Sequence, residues 1–146
     1  MKFLLRKKKR NKRIILRPFG QVYNLQEIYN EVNEKYFDAK LSLRISWFGR
    51  GETVPKTRIT FGSYNPNFKL IKVNRLLDKE HIPEYFVRFI VYHEMLHDAV
   101  PPKRKKRGTH HIHHKEFKAK EREFPEFSEV NAFIQKWKKE HFAPSS

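Results

Sequence analysis

The stretch from Tyr85 to Leu96 most constrains the fold, because it is apolar or aromatic on nearly every face of a helix. A helix that is apolar all round is normally buried. The pattern H-E-x-x-H nevertheless falls at its end, at His93, Glu94 and His97. Buried polar groups are costly unless they are paired or bind a metal. Residues four apart share a helix face with Cβ atoms about 5–6 Å apart, so two imidazoles can bind one ion.

Glu94 lies about 100° round this helix from His93, where it can reach the attacking water as a general base without being a ligand. The chain holds 8 His in 146 residues, which makes a chance match to the pattern more frequent than usual. The alternative interpretation is therefore a set of satisfied core histidines. A chance match would usually fall on a polar surface, whereas this one falls on the most apolar helix. We predict a zinc site with His93 and His97 as ligands and Glu94 as the catalytic base.

Composition narrows the class of protein. A chain of 146 residues fits one domain with an adequate core, and the absence of Cys excludes disulfides and cysteine-ligated zinc. No apolar run reaches about 18 residues, so no membrane span is expected. The apolar start of the chain is too short for a secretory signal. We expect an intracellular protein, cytoplasmic and nucleoid-associated in a bacterium or nuclear in a eukaryote, and a monomer.

The net charge of +16 is concentrated in two segments. Residues 1–17 hold nine basic side chains and no acid, and residues 103–107 hold five more, which leaves the rest nearly neutral. Such blocks are usually solvated arms that attract polyanions. We expect 1–17 to be a flexible basic arm, 18–146 the folded domain, and 101–112 a basic loop between metal ligands. The predicted nucleic-acid contacts are Lys7, Lys8, Lys9, Arg10, Lys103, Arg104, Lys105, Lys106 and Arg107.

Other interpretations of the basic segments stay open. The block after Pro101 and Pro102 would suit a nuclear-import signal, and either block could be a solubilising tail. An anionic membrane surface fits less well, because neither block is amphipathic.

Periodicity predicts an α+β domain. Alternation of period two predicts three strands, and helical spacing with capping residues predicts helices on both sides of them. We expect a small antiparallel three-stranded sheet packed on the H-E-x-x-H helix, flanked by N- and C-terminal helices. The strands are predicted at 41–48, 57–64 and 69–74. The helices are predicted at 24–37, from near Pro83 to before Pro101, at 113–123, and from a cap at Ser128 onward.

A catalytic zinc usually takes three protein ligands, so a third must come from elsewhere in the chain. Residues 109–117 are rich in histidine, and not every one of these side chains can be a ligand. A carboxylate is the alternative. The histidines are His110, His111, His113 and His114, and the carboxylates are Asp98, Glu116 and Glu121.

The run 89–97 followed by 113–117 resembles the SprT-like zinc metalloproteases, whose eukaryotic branch includes Spartan. The family pattern is H-E-x-x-H, a loop, and then H-G-x-x-F/W, with the last His as third ligand. The resemblance implies that His113 is the third ligand and Phe117 the terminal aromatic. His114 replaces the usual Gly and stays a competitor. The resemblance covers about residues 22–137, and the family pattern does not require the basic block.

The resemblance further implies a zincin-like or minigluzincin-like fold, one catalytic Zn²⁺ and weak sequence preference. Its substrates would be proteins bound or crosslinked to DNA, as in DNA–protein crosslink repair. The strand at 57–64 is a candidate to hold substrate by β-augmentation. Candidates for the oxyanion donor are Tyr64, Arg75, Tyr92 and the spare histidines. Two other functions stay open: a nucleic-acid-binding protein with a structural or inactive zinc site, and a metal-dependent nuclease or rRNA-processing hydrolase.

Overall fold

The structure is a computed structural model that describes residues 13–104, 110–111 and 114–142, with backbone only at 103–104 and 110–111. Within these ranges, no helix is long and apolar enough to cross a membrane. The described helices are α1 (Leu25–Phe37), α2 (Glu84–Ala99), α3 (Lys115–Arg122) and α4 (Phe127–His141), with a 3-10 helix at Arg75–Leu77. The strands are β1 (Arg44–Phe48), β2 (Gly62–Asn65), β3 (Leu70–Asn74), β4 (Lys103–Arg104) and β5 (His110–His111).

The three-stranded sheet is mixed, so the prediction of an antiparallel sheet is wrong for one of its two pairings. The strand order is β1-β3-β2; β3 runs parallel to β1 and antiparallel to β2. The connection over 49–61 is long enough to carry the chain past the central position to the sheet edge. The turn after Asn65 then returns β3 between the other two strands. Alternation of period two carries no information on strand direction, which is why the sequence did not reveal the parallel pair.

Two strands are shorter than predicted. β1 begins at Arg44 instead of residue 41, and β2 covers only the end of the predicted strand at 57–64. The segment before β2 contains Gly49 and Gly51 at positive φ and Pro55. Since proline has no backbone N–H to donate to a neighbouring strand, Pro55 favours an irregular connection over a strand. The third strand agrees with its prediction to within one residue.

Helix α2 forms the centre of the core, as its sequence predicts. Phe86, Val87, Val91 and Met95 are completely buried, and each such side chain contributes about 1.5–3 kcal/mol of hydrophobic stabilisation. The helix packs against the sheet and against α1, α3 and α4. The core therefore surrounds the helix that carries the predicted metal site.

The predicted cap of α1 is confirmed and that of α4 is wrong. The Asn24 side chain accepts hydrogen bonds from the first turn of α1. Helix α4 instead begins at Phe127, and Ser128 lies inside its first turn, where it donates to Glu129. Phe127 packs against Phe89 of α2, with ring centroids 6.1 Å apart, and the helix begins two residues earlier than the predicted cap implied.

The end of the predicted basic arm is attached to the sheet. The Arg17 N–H donates to Ser46 Oγ at 2.8 Å, and the Trp47 N–H donates to the Arg17 carbonyl at 3.1 Å. Asp78 then accepts three backbone N–H bonds from residues 21–23. Arg17 thus contacts the folded body. Residues 1–12, which include the predicted contacts Lys7, Lys8, Lys9 and Arg10, lie outside the described residues.

Candidate metal centre

Helix α2 brings the three residues of the H-E-x-x-H pattern together. His93, Glu94 and His97 each offer one ligand atom, and these atoms all lie within 4.8 Å of one another. The two imidazole rings are 5.0 Å apart between centroids, as the i, i+4 spacing requires. Two nitrogen donors beside a carboxylate can share one small cation.

His93 is oriented by a residue that the sequence offered as a possible ligand. Its Nδ1 lies 2.5 Å from Glu121 Oε2, and its Nε2 lies 4.0 Å from Glu94 Oε2. Because a ring N–H donates and a carboxylate oxygen accepts, the His93 Nδ1–H donates to Glu121, and Nε2 lies on the side of Glu94. Metal-binding histidines usually donate their second ring N–H to such a partner. In this structure, Glu121 therefore orients the His93 ring.

Helix α3 closes the other side of the histidine pair. Phe117 is completely buried, and its ring centroid lies 4.7 Å from that of His97 and 5.2 Å from that of His93. This contact places the start of α3 beside both imidazoles. His114 is the N-cap residue of α3, and its Nε2 donates to the Pro101 carbonyl at 3.1 Å. His113, the predicted third ligand, lies outside the described residues.

Glu94 is buried beside the backbone of the edge strand. Its side chain is only 7% exposed, and burial raises the pKa of Glu94 to about 7, an effect that His93 opposes and Glu121 reinforces. A Cβ on Gly62 would stand 2.7 Å from Ile90 Cγ2 and 3.2 Å from Glu94 Oε2. Only glycine fits at this position without a shift, so β2 lies directly against the carboxylate.

A cleft of about 380 Å³ opens over these residues. We call it the metal cleft. One wall is the edge strand β2 and the following turn, the floor is α2, and the far side begins at Pro102, just before β4. Its lining residues are Gly62, Ser63, Tyr64, Pro66, His93, Glu94, His97 and Pro102.

Asp98, another candidate ligand, forms hydrogen bonds with residues other than His93 and His97. Its Oδ1 accepts a hydrogen bond from the Tyr64 hydroxyl at 2.7 Å and from Lys69 Nζ at 2.9 Å. Burial alone would raise the pKa of Asp98, but the bonds from Tyr64 and Lys69 outweigh it and lower that pKa. The pKa of Tyr64 is raised by burial and by Asp98, so its hydroxyl keeps its proton.

The structure separates the candidate oxyanion donors. The Tyr92 hydroxyl donates to the Lys120 carbonyl at 2.6 Å, which joins α2 to α3 inside the core. Arg75 donates to the Gly49 carbonyl at 3.3 Å, and neither residue lines the metal cleft. Tyr64 does line it. Of these three side chains, Tyr64 alone borders the cleft.

Two short strands of the basic loop pair with each other. β4 and β5 pair in antiparallel fashion, with Lys103 opposite His111 and Arg104 opposite His110. Lys103 directly follows Pro102 of the metal cleft. The remaining predicted contacts of this block, Lys105, Lys106 and Arg107, lie outside the described residues.

The donor set fits a zinc ion. Imidazole nitrogens are common zinc ligands, and the Nδ1 contact of His93 with Glu121 fixes the orientation of this ring. His93 and His97 would hold the ion, with further ligands to come from outside α2. Glu94 lies beside the pair, where a base would act.

Comparison with known proteins shows a fold but no family. No family model matches the chain, and no curated protein matches it. Among solved structures, the chain is similar to the metallopeptidase zymogen jannalysin of Methanocaldococcus jannaschii, with a TM-score of 0.54 and 18% sequence identity. The match covers 79% of this chain and 98% of that one. Since identity this low shows the fold alone, we conclude that the chain has a metallopeptidase-like α+β fold.

Proposed function

We propose that this chain is a zinc-dependent endopeptidase. The observation that carries the proposal is the placement of Glu94, which is buried beside His93 and His97 and against the edge strand β2. A structural metal site has no use for a carboxylate in that position. The pairing of His93 with Glu121 supports the same conclusion, because it fixes the orientation of this ring.

The chemistry is hydrolysis of a peptide bond. Zinc, when bound, supplies a Lewis acid that polarises the scissile carbonyl and makes water a better nucleophile near neutral pH. Glu94 accepts a proton from the attacking water and passes it to the leaving amine. Its pKa of about 7 in the metal-free protein suits a group that must both accept and release a proton. The Tyr64 hydroxyl, which borders the metal cleft, is the candidate donor to the oxyanion, and its one proton would then turn from Asp98 to the substrate.

The edge strand offers a way to hold the substrate. In the described part of the chain, β2 pairs only with β3, so its other edge presents backbone N–H and C=O groups along the metal cleft. An extended peptide can add to such an edge by β-augmentation. These backbone contacts would lay the scissile bond over Glu94.

We propose His113 as the third ligand and a relationship to the SprT-like proteases. The support is the packing of Phe117 on both imidazoles, which brings the start of α3 to the histidine pair. In the H-G-x-x-F/W pattern the third ligand precedes the aromatic residue by four positions, which is His113 here. His114, which replaces the usual Gly of that pattern, stays the competitor; its Nε2 donates to the Pro101 carbonyl.

We also propose that the protease acts on proteins close to nucleic acid, DNA in particular. The support is charge: the block at 103–107 starts beside Pro102 at the rim of the metal cleft. Phosphate contacts by such a block would be independent of sequence and steeply dependent on salt. Replacing the block with Ser and Gly should lower DNA affinity while zinc content stays unchanged.

The test uses the zinc-loaded protein and protein-coated DNA, with both polymers followed over time. We expect protein fragments and intact DNA. Glu94→Gln should lower the cleavage rate by about 10²- to 10⁴-fold, the usual contribution of a general base, and should keep its zinc. Glu34→Gln, on the exposed surface of α1, is the matched control and should cleave normally. Unchanged cleavage by Glu94→Gln would contradict the proposal, and cutting of the nucleic acid would favour a nuclease.

A further inference from the structure

A second cavity adjoins the metal cleft. It has a volume of about 420 Å³ and shares Gly62, His93 and Glu94 with the cleft. From these shared residues, the cleft extends toward the C-terminal ends of β2 and α2, whereas this cavity extends toward their N-terminal ends. We call it the apolar pocket. A peptide laid along β2 would cross both cavities and have Glu94 between them.

The walls of the apolar pocket suit a large hydrophobic side chain. Six of the twelve lining residues are aliphatic or aromatic, and five are polar. One of these, Glu121, is already bonded to His93. The apolar lining residues are Ile59, Phe61, Phe89, Ile90, Phe127 and Ile134, and the polar ones besides the shared His93 and Glu94 are Thr60, Glu121 and Asn131.

These walls are held by the core. Phe89 and Ile90 are 5% and 6% exposed, so they form a fixed floor. Phe61 packs edge-on against Phe86 and Trp137, with ring centroids 5.1 and 5.4 Å away. Such contacts keep a pocket in shape before its ligand arrives, which reduces the entropy lost on binding. The volume lies within the range of about 300–1,000 Å³ typical of ligand pockets.

We propose that the apolar pocket selects a large apolar residue, such as Phe or Leu, directly C-terminal to the scissile bond. The inference rests on the proposed peptidase function. Antiparallel strand pairs outnumber parallel ones roughly two- to three-fold, so the substrate is taken to run antiparallel to β2. Its chain then passes from Tyr64 toward Ile59, and the residue after the scissile bond faces the pocket. This is more selective than the weak preference that the SprT-like resemblance implies.

The experiment compares peptides that differ at one position, occupied by Phe, Leu, Ala or Asp. Hydrophobic pockets discriminate by about 10- to 200-fold for small differences in side-chain size, so kcat/KM should be at least about 10-fold higher for Phe and Leu than for Ala. Mass spectrometry of the products should place the cut on the N-terminal side of the varied residue. The Asp peptide should be the poorest substrate.

Two variants on α4 test the pocket itself. Asn131 lines the pocket and is exposed, whereas its neighbour Ala132 is exposed and does not line it. Asn131→Trp should partly fill the pocket and reduce cleavage of the Phe and Leu peptides toward the Ala value. The matched control, Ala132→Trp, should leave the preference unchanged.

Binding provides a readout that does not depend on turnover. Zinc-loaded Glu94→Gln should bind the Phe peptide at least about 10-fold more tightly than the Ala peptide, as measured by fluorescence anisotropy. Equal affinities, or an equal loss for every peptide in Asn131→Trp, would overturn the proposed selectivity and leave the peptidase intact. Failure of the zinc-loaded protein to cut any peptide, with the binding preference present, would instead contradict the peptidase function.

Discussion

Glu94 and Asp98 lie one turn apart on α2, yet their surroundings act in opposite directions. Glu94 is buried, has the Glu121 carboxylate nearby and has a pKa raised to about 7. Asp98 accepts hydrogen bonds from Tyr64 and Lys69, which lower its pKa. The same helix therefore holds one carboxyl group that can exchange a proton near neutral pH and another that stays ionised. Pairs of acids separated in this way are typical of sites that transfer protons.

The difference comes from the neighbours that each carboxylate meets. Glu94 faces the close-packed backbone at Gly62, and burial is the main cause of its raised pKa. Asp98 faces the side of the sheet that carries Lys69, 2.9 Å away. Burial without a compensating cation favours the neutral acid, whereas a cation and a hydroxyl donor favour the carboxylate. Neutralising each carboxyl group in turn tests whether these surroundings cause the difference between the two pKa values.

The largest expected effect is on the stability of the metal-free protein. The folded pKa of Glu94 is raised from 4.5 to about 7, so ionisation opposes folding as the pH rises through this window. Above it, the buried charge costs about 3 kcal/mol. Metal-free Glu94→Gln should therefore be more stable than the wild type by about this amount at pH 8, and nearly equal to it at pH 4.5. Urea unfolding with a chelator present measures both values.

Glu34→Gln again serves as the control and should follow the wild type at both pH values, because Glu34 is exposed. A stability difference for Glu94→Gln that is the same at pH 4.5 and pH 8 would show that packing, and not ionisation, distinguishes the two side chains.

A smaller effect is expected when the carboxylate that holds His93 is neutralised. Glu121→Gln keeps the shape of the side chain but weakens its bond to Nδ1, and loss of such a partner typically lowers metal affinity by about 10- to 100-fold. It also removes a negative charge that raises the pKa of Glu94. Competition with a zinc chelator measures the affinity.

His113→Ala should lose more zinc affinity than Glu121→Gln if His113 is a ligand. An unchanged zinc affinity in Glu121→Gln would mean that the 2.5 Å contact does not support metal binding.

The helices were predictable from local signals, whereas the sheet was only partly so. The apolar run at 85–96 and the Asn24 cap each depend on neighbouring residues, and both predictions are confirmed. The parallel pairing of β1 with β3 depends on where the chain goes over residues 49–61, and no local period encodes that path. The N-terminal extent of β2 was overestimated, because Ile59 packs against the core from the irregular segment that precedes the strand.

The candidate site shows the same contrast between residues that local spacing predicts and residues that only the tertiary packing brings in. His93, Glu94 and His97 lie within one helical turn of each other, so their spacing alone brought them together. Glu121 is 28 residues from His93, and its role depends on how α3 packs on α2. The sequence could place it only among several carboxylates. The close approach of Gly62 to Glu94 had no signal beyond a lone glycine inside a predicted strand.

The smallest expected effect is that of neutralising Asp98. Its folded pKa is lowered from 3.8, so its contribution to stability is present above pH 3.8 and is lost as the pH falls through the lower folded value. Lys69 is 59% exposed, and solvent screening limits an ion pair of this kind to about 0.2–1 kcal/mol. Asp98→Asn should therefore lower stability at pH 7 by less than about 1 kcal/mol, opposite in sign to Glu94→Gln, while Tyr64 can still donate to the amide oxygen. A double-mutant cycle with Lys69→Met measures the interaction free energy of the ion pair. Zinc-dependent cleavage by Asp98→Asn should stay within a few-fold of the wild type. A loss of cleavage as large as that of Glu94→Gln would show that the two carboxylates act as one proton-transfer unit and not as a catalytic group beside a structural one.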